Sequence, residues 1–337
     1  MDFDFQGCSG LTNIVLGNNI MSIGNYAFDS CSSLSSVTIG NNVGIIESYA
    51  FQYCYNLASI VIPNSITNIQ RFAFNGCTSL THVMIGSDLI GLGDYEGYGA
   101  GGLAFYLCPS LTAISVDLQN PNYSSVDGVL YDKSQTTLIQ YPAGKIGNSF
   151  TISDSVTNIG VFAFNSCTSL ASITTGDGIV NIRSYAFYDS GSVAMVTMRN
   201  YIDSIGDYAF SYCANLTGIF FEGGPPNSVG YDGLANNATI YYLPEMTGWG
   251  AAFAGRPTKL WVPQMQTIGT NSSMQTNQFG FNINWANGKA VVVEACTNLS
   301  NTDWQPVQTN TLADGSAYFS DSQWTNYPNR FYRLRSP

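Results

Sequence analysis

Up to about residue 263 the chain consists of short segments in which apolar and polar residues alternate, each followed by a turn. In one segment Leu57, Ile60 and Ile62 are the apolar positions, and Pro63 and Asn64 follow directly. Alternation with a period of two is the pattern of a strand with one buried face, and a Pro-Asn pair is typical of a turn. The pattern therefore predicts a long series of short strands, each closed by a turn.

The segments recur in phase. The cysteines Cys8, Cys31, Cys54 and Cys77 follow one another at intervals of 23 residues, each with Leu three positions later. The same Cys-x-x-Leu returns at Cys108, Cys167 and Cys213, and Ser190 with Val193 takes its place between the last two. Ala-Phe precedes most of these positions, in the pairs Ala27-Phe28, Ala50-Phe51, Ala73-Phe74, Ala104-Phe105, Ala163-Phe164, Ala186-Phe187 and Ala209-Phe210. Seven pairs in phase indicate a tandem repeat.

A repeat of this length cannot bury its own apolar face, but a stack of such repeats forms a continuous core. Stacking in register places neighbouring strands about 4.8 Å apart in a parallel sheet. Leu, Ile and Phe then form columns inside, and the residues between them face outwards. The repeat predicts a mainly β solenoid.

Ala-Phe-x-x-Cys-x-x-Leu resembles the BspA-like leucine-rich repeats of bacterial surface and secreted proteins, over about residues 1–263. The segment from Asn120 to Lys145 resembles the longer repeat unit of that family. An insertion at Ser87–Gly102, which contains Tyr95 and Tyr98, is expected to loop out of the stack. The resemblance implies a non-catalytic recognition or adhesion protein, secreted or at the cell surface, that binds a protein or a glycan.

The repeats are expected to stop after Phe221, where Gly223-Gly224-Pro225-Pro226 breaks the strand, with a cap over residues 222–263. Residues 264–278 are polar and predict a linker. Beyond it, five short strands over residues 279–337 predict a small antiparallel β-sandwich. This module resembles terminal β-modules of exported bacterial proteins, and either attachment or simple end-capping is compatible with it.

Composition narrows the possible partners. The net charge is −11, and charged residues make up only 10% of the chain. Nucleic acids and anionic membranes both attract basic patches, so neither is an expected partner. No apolar run approaches 18 residues, the length that a membrane-spanning helix requires. The N-terminus carries no secretory signal, and we expect the natural beginning of the protein to lie upstream.

Seven of the eight cysteines occupy one repeat position and are expected to form a buried column of free thiols. Neighbouring Cβ vectors in such a stack run parallel, which disfavours a disulfide, although occasional bridging stays open. A row of thiols does not surround a point as zinc ligands do. Cys296 is expected to be a buried strand residue in the second module.

Nothing in the sequence predicts a reaction or a cofactor. His82 is the single histidine, and Ser59 lies one repeat away, but no acid is placed to orient the ring and no G-x-S-x-G turn exists. The carboxylate pairs Asp2/Asp4 and Asp94/Glu96 fit no calcium loop or acid–base pair. We therefore expect no enzyme activity, cofactor or metal, and a monomer.

The outward positions of the strands are the expected binding surface. They are mostly Ser, Thr and small apolar residues, and the more distinctive ones are His82, Met84, Met195, Thr197 and Phe220, with Tyr95 and Tyr98 on the insertion. Ser and Thr are also good strand formers on a solvated face, so the surface alone does not require a partner. Three hypotheses follow: a recognition or adhesion protein, a structural spacer attached through the second module, and an extracellular hydrolase that uses His82.

Overall fold

The computed structural model describes residues 2–94, 102–266, 279–300 and 303–337, which are almost entirely strands and turns. The strands up to the middle of the chain are β1 (Asn13–Val15), β2 (Ser22–Ile23), β3 (Ser36–Thr38), β4 (Ile45–Ile46), β5 (Ser59–Ile62), β6 (Asn68–Ile69), β7 (His82–Ile85), β8 (Gly91–Leu92), β9 (Ala113–Val116), β10 (Tyr123–Val126), β11 (Val129–Asp132) and β12 (Thr137–Gln140). There follow β13 (Ser149–Thr151), β14 (Asn158–Ile159), β15 (Ser172–Thr174), β16 (Asn181–Ile182), β17 (Met195–Met198), β18 (Ser204–Ile205), β19 (Gly218–Phe221), β20 (Ser228–Val229), β21 (Thr239–Tyr242), β22 (Ala252–Phe253) and β23 (Arg256–Leu260). The last strands are β24 (Gln264–Gln266), β25 (Phe279–Asn284), β26 (Ala290–Cys296), β27 (Gln305–Thr311), β28 (Ser316–Asp321) and β29 (Phe331–Arg335), and Gly102–Phe105 and Trp324–Asn326 form short 3-10 helices.

The chain divides into two compact units. The first comprises Met1–Tyr242 and Met246–Lys259, and the second comprises Leu243–Glu245 and Leu260–Pro337.

Each repeat of the first unit contributes one strand to each of two parallel faces. The odd-numbered strands β1 to β9 and β13 to β21 form the strand face, and the shorter strands β2, β4, β6 and β8 pair with one another on the second face. The strands pair without slippage: Ser59 lies opposite His82, and His82 opposite Ala113. The predicted solenoid of stacked parallel strands is confirmed.

The Ala-Phe turn forms the third side of each repeat and carries the core. The rings of the Phe column (Phe28, Phe51, Phe74, Phe105, Tyr141, Phe164, Phe187 and Phe210) are buried, and successive rings within its two runs stack with centroids 4.6–5.5 Å apart. The Phe28 N–H donates to the Ala50 carbonyl of the next turn (2.8 Å), and the Phe51 N–H donates to Ala73 (2.7 Å). Each turn is thus held by a backbone hydrogen bond and a ring contact to the next one.

A second aromatic row lies outside the Phe column. The residue before Ala adopts a left-handed backbone with φ of 55–62° in Tyr26, Tyr49, Phe72, Phe162, Tyr185 and Tyr208. This conformation costs about 1–2 kcal/mol for a residue with a Cβ. The half-buried side chains stack on one another, at 4.7 Å for Tyr26 and Tyr49, and such pairs contribute about 0.5–1.5 kcal/mol each. Stacking along the row therefore offsets much of the cost of the turn.

The cysteine column is hydrogen-bonded to the preceding turn. The Cys54 thiol donates to the Phe28 carbonyl (3.3 Å), and the Cys77 thiol donates to Phe51 (3.2 Å). Ser190 donates its hydroxyl to Phe164 in the same way, which explains how serine replaces cysteine at this position. All eight cysteines are free thiols. The prediction of seven buried thiols is wrong for Cys8, which is exposed because no preceding turn covers it in the described chain.

The longer unit interrupts the stack. Strands β10 and β11 form an antiparallel hairpin, and β12 joins the second face beside β14. The Asn120 side chain fixes the hairpin to the preceding repeat: its amide donates to Gly86 O (2.9 Å), and its carbonyl oxygen accepts from Tyr123 N–H (2.8 Å). Within the predicted insertion, β8 still pairs with β6. Tyr95 and Tyr98 lie outside the described residues.

The repeats continue further than predicted. Strand β20 pairs with β18 and β21 pairs with β19, both parallel, so the expectation that they stop after Phe221 is wrong. Gly223–Pro226 forms the loop that connects β19 to β20, the two strands of one repeat. The hairpin of β22 and β23 then continues the sheet beyond β21. The Trp249 ring packs against Phe221 (5.0 Å) and Tyr242 (5.5 Å).

The second unit contains two antiparallel three-stranded sheets, β24–β25–β28 and β27–β26–β29. The five strands predicted over residues 279–337 are present as β25 to β29, and Phe281 and Phe319 pack in the core (5.0 Å). Residues 264–266, predicted as the start of a linker, instead form β24 along β25. Glu294 accepts hydrogen bonds from Arg333 (2.7 Å) and Arg335 (2.9 Å), which lower the pKa of its carboxyl group.

Removing one ring of the Phe column tests its contribution to stability. We expect Phe51→Ala to lower the free energy of unfolding by about 3–5 kcal/mol, because it leaves a cavity between Phe28 and Phe74. Urea unfolding followed by circular dichroism measures the loss. Met21→Ala is the control because Met21 is exposed. A loss no larger than that of the control would contradict the stacked core.

Thiol alkylation distinguishes the two environments of cysteine. Burial raises the pKa of Cys108 and of Cys213 to about 12, so their thiolates are absent at neutral pH and form only as the pH approaches that value. We expect iodoacetamide to label the exposed Cys8 in the folded protein at neutral pH while the six buried solenoid thiols stay unlabelled. Mass spectrometry of the labelled peptides measures this. Equal labelling of Cys8 and Cys77 would contradict the buried column.

Candidate functional site

The strand face brings two of the predicted binding residues together. His82 and Met84 are both exposed on β7. Parallel pairing places Ser59 and Val61 on one side of them and Ala113 and Ser115 on the other. The His82 Nδ1 atom lies 3.0 Å from the Thr81 hydroxyl oxygen, which is its own neighbour in sequence. The predicted alignment of His82 with Ser59 is therefore present on an open sheet surface.

A second predicted group lies further along the same face. Met195 is exposed on β17, Thr197 is half-buried beside Phe220 of β19, and the Phe220 ring stacks on Tyr241 at 4.6 Å. Gly218, two residues before Phe220 on β19, is buried because the Phe220 ring lies over it. The predicted residues Tyr95 and Tyr98 lie outside the described residues, so this group and the His82 group are the two that the structure locates.

The strand face carries exposed apolar side chains in register. Val15, Val61 and Met84 are 68%, 58% and 56% exposed, and Val61 and Met84 are direct neighbours. Val61 and Met84, together with Pro63, Asn64, Ser115 and Asp117, line a shallow hollow of about 240 Å³. This surface therefore combines apolar and polar atoms with little charge.

A larger cavity than this hollow lies elsewhere, along the edge formed by the cysteine turns. This turn groove has a volume of about 630 Å³ and is lined by the residues on either side of the cysteine column: Tyr53, Tyr55, Gly76, Thr78, Leu107, Pro109, Ser166, Cys167, Thr168, Asp189, Gly191, Ser192 and Asn215. Sequence analysis of the outward strand positions did not identify it.

The groove arises from the interruption of the repeats. In the longer unit Tyr141 occupies the place of the column Phe, donating its N–H to Ala163 O (2.7 Å), but no Cys-x-x-Leu follows it. The Gly144 N–H instead donates to Leu111 O (2.8 Å), which turns the chain back early. Across the gap, Tyr106 packs edge-on against both Phe72 (5.7 Å) and Phe162 (5.5 Å). The missing Cys-x-x-Leu between residues 109 and 165 was the available sequence signal.

Metal chemistry has no visible basis in the described residues. Within residues 2–94, 102–266, 279–300 and 303–337, no group of three or more His, Cys, Asp or Glu side chains is arranged to hold an ion. In the same ranges no helix is long and apolar enough to cross a membrane.

Two glycines of the turn groove provide a matched test of its geometry. Gly76 has φ of +71°, and a Cβ there would lie 2.6 Å from the Tyr53 ring, whereas a Cβ on Gly191 would meet no atom within 4 Å. We expect Gly76→Ala to lower the free energy of unfolding by about 1–2 kcal/mol and to displace Tyr53, because left-handed backbone disfavours a Cβ. Gly191→Ala should be close to neutral. Chemical denaturation and near-ultraviolet circular dichroism measure both effects, and equal losses would contradict the described turn.

Comparison with known proteins places the repeats in context. The model of the BspA type leucine rich repeat region matches residues 1–118 and 143–240, in six copies. A solved leucine-rich repeat protein from Eubacterium ventriosum is 24% identical, with 71% of each chain covered and a TM-score of 0.55. The pneumococcal vaccine antigen PcpA is 18% identical over 69% of this chain and 74% of that chain, with a TM-score of 0.48. A leucine rich cell surface protein from Faecalibacterium prausnitzii is 24% identical over 68% and 73% of the two chains, with a TM-score of 0.47.

No curated protein matches the chain. The likeness to the Eubacterium ventriosum protein shows a common fold. The matched repeats cover more than half of the chain and include all seven Ala-Phe pairs. The chain therefore belongs to the BspA-type leucine-rich-repeat family.

Proposed function

We propose that the protein is a non-catalytic recognition protein, secreted or held at a bacterial cell surface, whose strand face binds a protein partner. The observation that carries the proposal is the exposure of Val61 and Met84 side by side on a regular, rigid sheet. Membership of the BspA-type family and the low content of charged residues are compatible with a location outside the cell.

Burial of apolar side chains is the expected source of affinity. Covering a Val or Met side chain completely contributes about 1.5–3 kcal/mol relative to leaving it in water. Val61 and Met84 border the hollow that contains Asn64 and Asp117, whose polar atoms can orient a partner. Interfaces commonly combine an apolar centre with a polar rim in this way. The open sheet around His82 encloses no cleft that would exclude water, so binding is favoured over hydrolysis.

A protein partner fits this surface better than a glycan. Glycans are recognised through many directed hydrogen bonds, whereas Val61 and Met84, which lie side by side between Ser59, His82 and Ser115, offer apolar surface. Side chains without donors or acceptors leave sugar hydroxyl groups unpaired, which costs binding free energy. They do complement the apolar centre of a protein interface.

The introduction of two negative charges on the strand face tests the proposal. We expect the purified chain to bind at least one member of a panel of extracellular proteins saturably, and Val61→Glu with Met84→Glu to weaken that binding by about tenfold or more, since both carboxylates would be buried. Surface plasmon resonance against immobilised matrix proteins, with a glycan array in parallel, makes the measurement.

The control carries the same two charges on other surfaces. Met21 and Ile90 are 69% and 66% exposed and lie outside the strand face, so Met21→Glu with Ile90→Glu should leave the affinity unchanged. Equal loss in both variants would contradict binding through the strand face. Saturable binding to glycans alone would contradict a protein partner, and no saturable binding in either panel would favour the structural spacer.

A further inference from the structure

We infer that the turn groove is a second, separate binding site, which takes an extended peptide with apolar side chains and one Lys or Arg placed at Asp189. The groove lies on the edge of the solenoid formed by the cysteine turns, and none of the strand-face residues lines it. Its occupant is therefore independent of the partner proposed for the strand face.

The dimensions of the groove fit an extended chain. Its lining passes from the Tyr53 turn to the Asp189 turn, which are five turns apart when the short turn at residues 141–145 is counted. At about 4.8 Å per turn this span is about 24 Å, the length of about seven extended residues. An extended peptide of this length therefore reaches from the Tyr53 turn to the Asp189 turn.

The walls of the groove favour apolar side chains over sugar hydroxyl groups. Tyr53, Tyr55, Leu107 and Pro109 contribute ring and aliphatic surface. Two of the polar residues are already hydrogen-bonded within the protein. The Ser192 hydroxyl donates to Cys167 O (2.6 Å) and Leu170 O (3.0 Å).

The second polar residue is Asn215, whose amide group donates to Gly191 O (2.6 Å). The surface that the groove exposes is mostly apolar, whereas a saccharide needs many hydrogen-bond partners.

A carboxylate in the lining of the turn groove favours a cationic side chain in the bound peptide. Asp189 is the single carboxylate among the residues that line the groove, and that lining contains no Lys, Arg or His. Within the described part of the chain Asp189 forms no ion pair. Lys145, on the short turn, points elsewhere, since its ammonium group donates to Asp127 O. The net charge of −11 also favours a cationic partner at long range.

Partial desolvation by the neighbouring turns raises the pKa of the Asp189 carboxyl group. A bound ammonium or guanidinium group would stabilise the ionised form again. The position also tolerates the variant needed for a test. Asp189 has φ of +57°, and asparagine adopts this left-handed conformation readily, so Asp189→Asn removes the charge and keeps the turn.

The probes are dye-labelled heptapeptides in which Ser alternates with Leu or Tyr, with Lys, norleucine or Glu at either end. Fluorescence anisotropy of the full chain measures their affinities, and a neutral glucose hexasaccharide is tested as a competitor. We expect the tighter of the two Lys peptides to bind about fivefold better than its norleucine counterpart, the difference that one partly exposed ion pair supplies. Asp189→Asn should abolish this preference while the norleucine peptide still binds.

A substitution that fills the groove is the second part of the experiment. Gly191 lines the groove and a Cβ there meets no atom within 4 Å, so Gly191→Phe adds a ring to the lining and should abolish binding of all peptides. Gly10→Phe, where a Cβ also meets no atom within 4 Å, is the matched control outside the groove, and Asp88→Asn is the control for loss of one exposed charge. Both controls and the strand-face variant should bind as the unaltered chain does. Equal affinity for the Lys and Glu peptides, displacement by the hexasaccharide, or no saturable peptide binding would overturn the inference.

Discussion

The contact between one Ala-Phe turn and the next determines the rest of this structure. The N–H groups of five column residues donate to the Ala carbonyl of the following turn, and their rings stack on the next ring at 4.6–5.5 Å; these residues are Phe28, Phe51, Phe74, Phe164 and Phe187. Neither interaction exists within a single repeat, so no repeat is stable without its neighbours. Because backbone and side chain repeat at the same spacing, the strands on either side of the turn are brought into register as well. The thiol-to-carbonyl hydrogen bonds of the cysteine column depend on the same register.

In a stack of this kind, residues at the same position of successive repeats form a line along the surface. Outward strand positions form a broad face, where Val61 and Met84 become neighbours although they are far apart in sequence. Residues beside the cysteines form an edge, where the short turn after Tyr141 opens the turn groove. Regular repeats therefore supply a rigid surface, and departures from the repeat supply the features that distinguish one part of it from another. The recognition function that we propose needs no moving parts on such a surface.

Much of the fold follows from the sequence because the period itself encodes it. The interval between cysteines and the position of Ala-Phe determine which residues stack, and hence the Phe column, the parallel register and the outward positions of His82 and Met84. Features that arise where turns of different length lie side by side could not be predicted from the sequence. The groove requires the short turn at Gly144 to lie beside the Leu107 turn, which neither segment shows alone. The strand β24 depends on its partner β25, which lies beyond residues 267–278.

Native-state hydrogen exchange of the column Phe amides tests the stacking account most directly. Each of these amides is bonded to the next turn and not within its own, so exchange requires two turns to separate. The account predicts strong protection of the Phe28, Phe51, Phe74, Phe164 and Phe187 amides, lost together when the solenoid unfolds. Rapid exchange of these amides, while the amides of β5 and β7 stay protected, would contradict it, because the strands would then be stable without the turns.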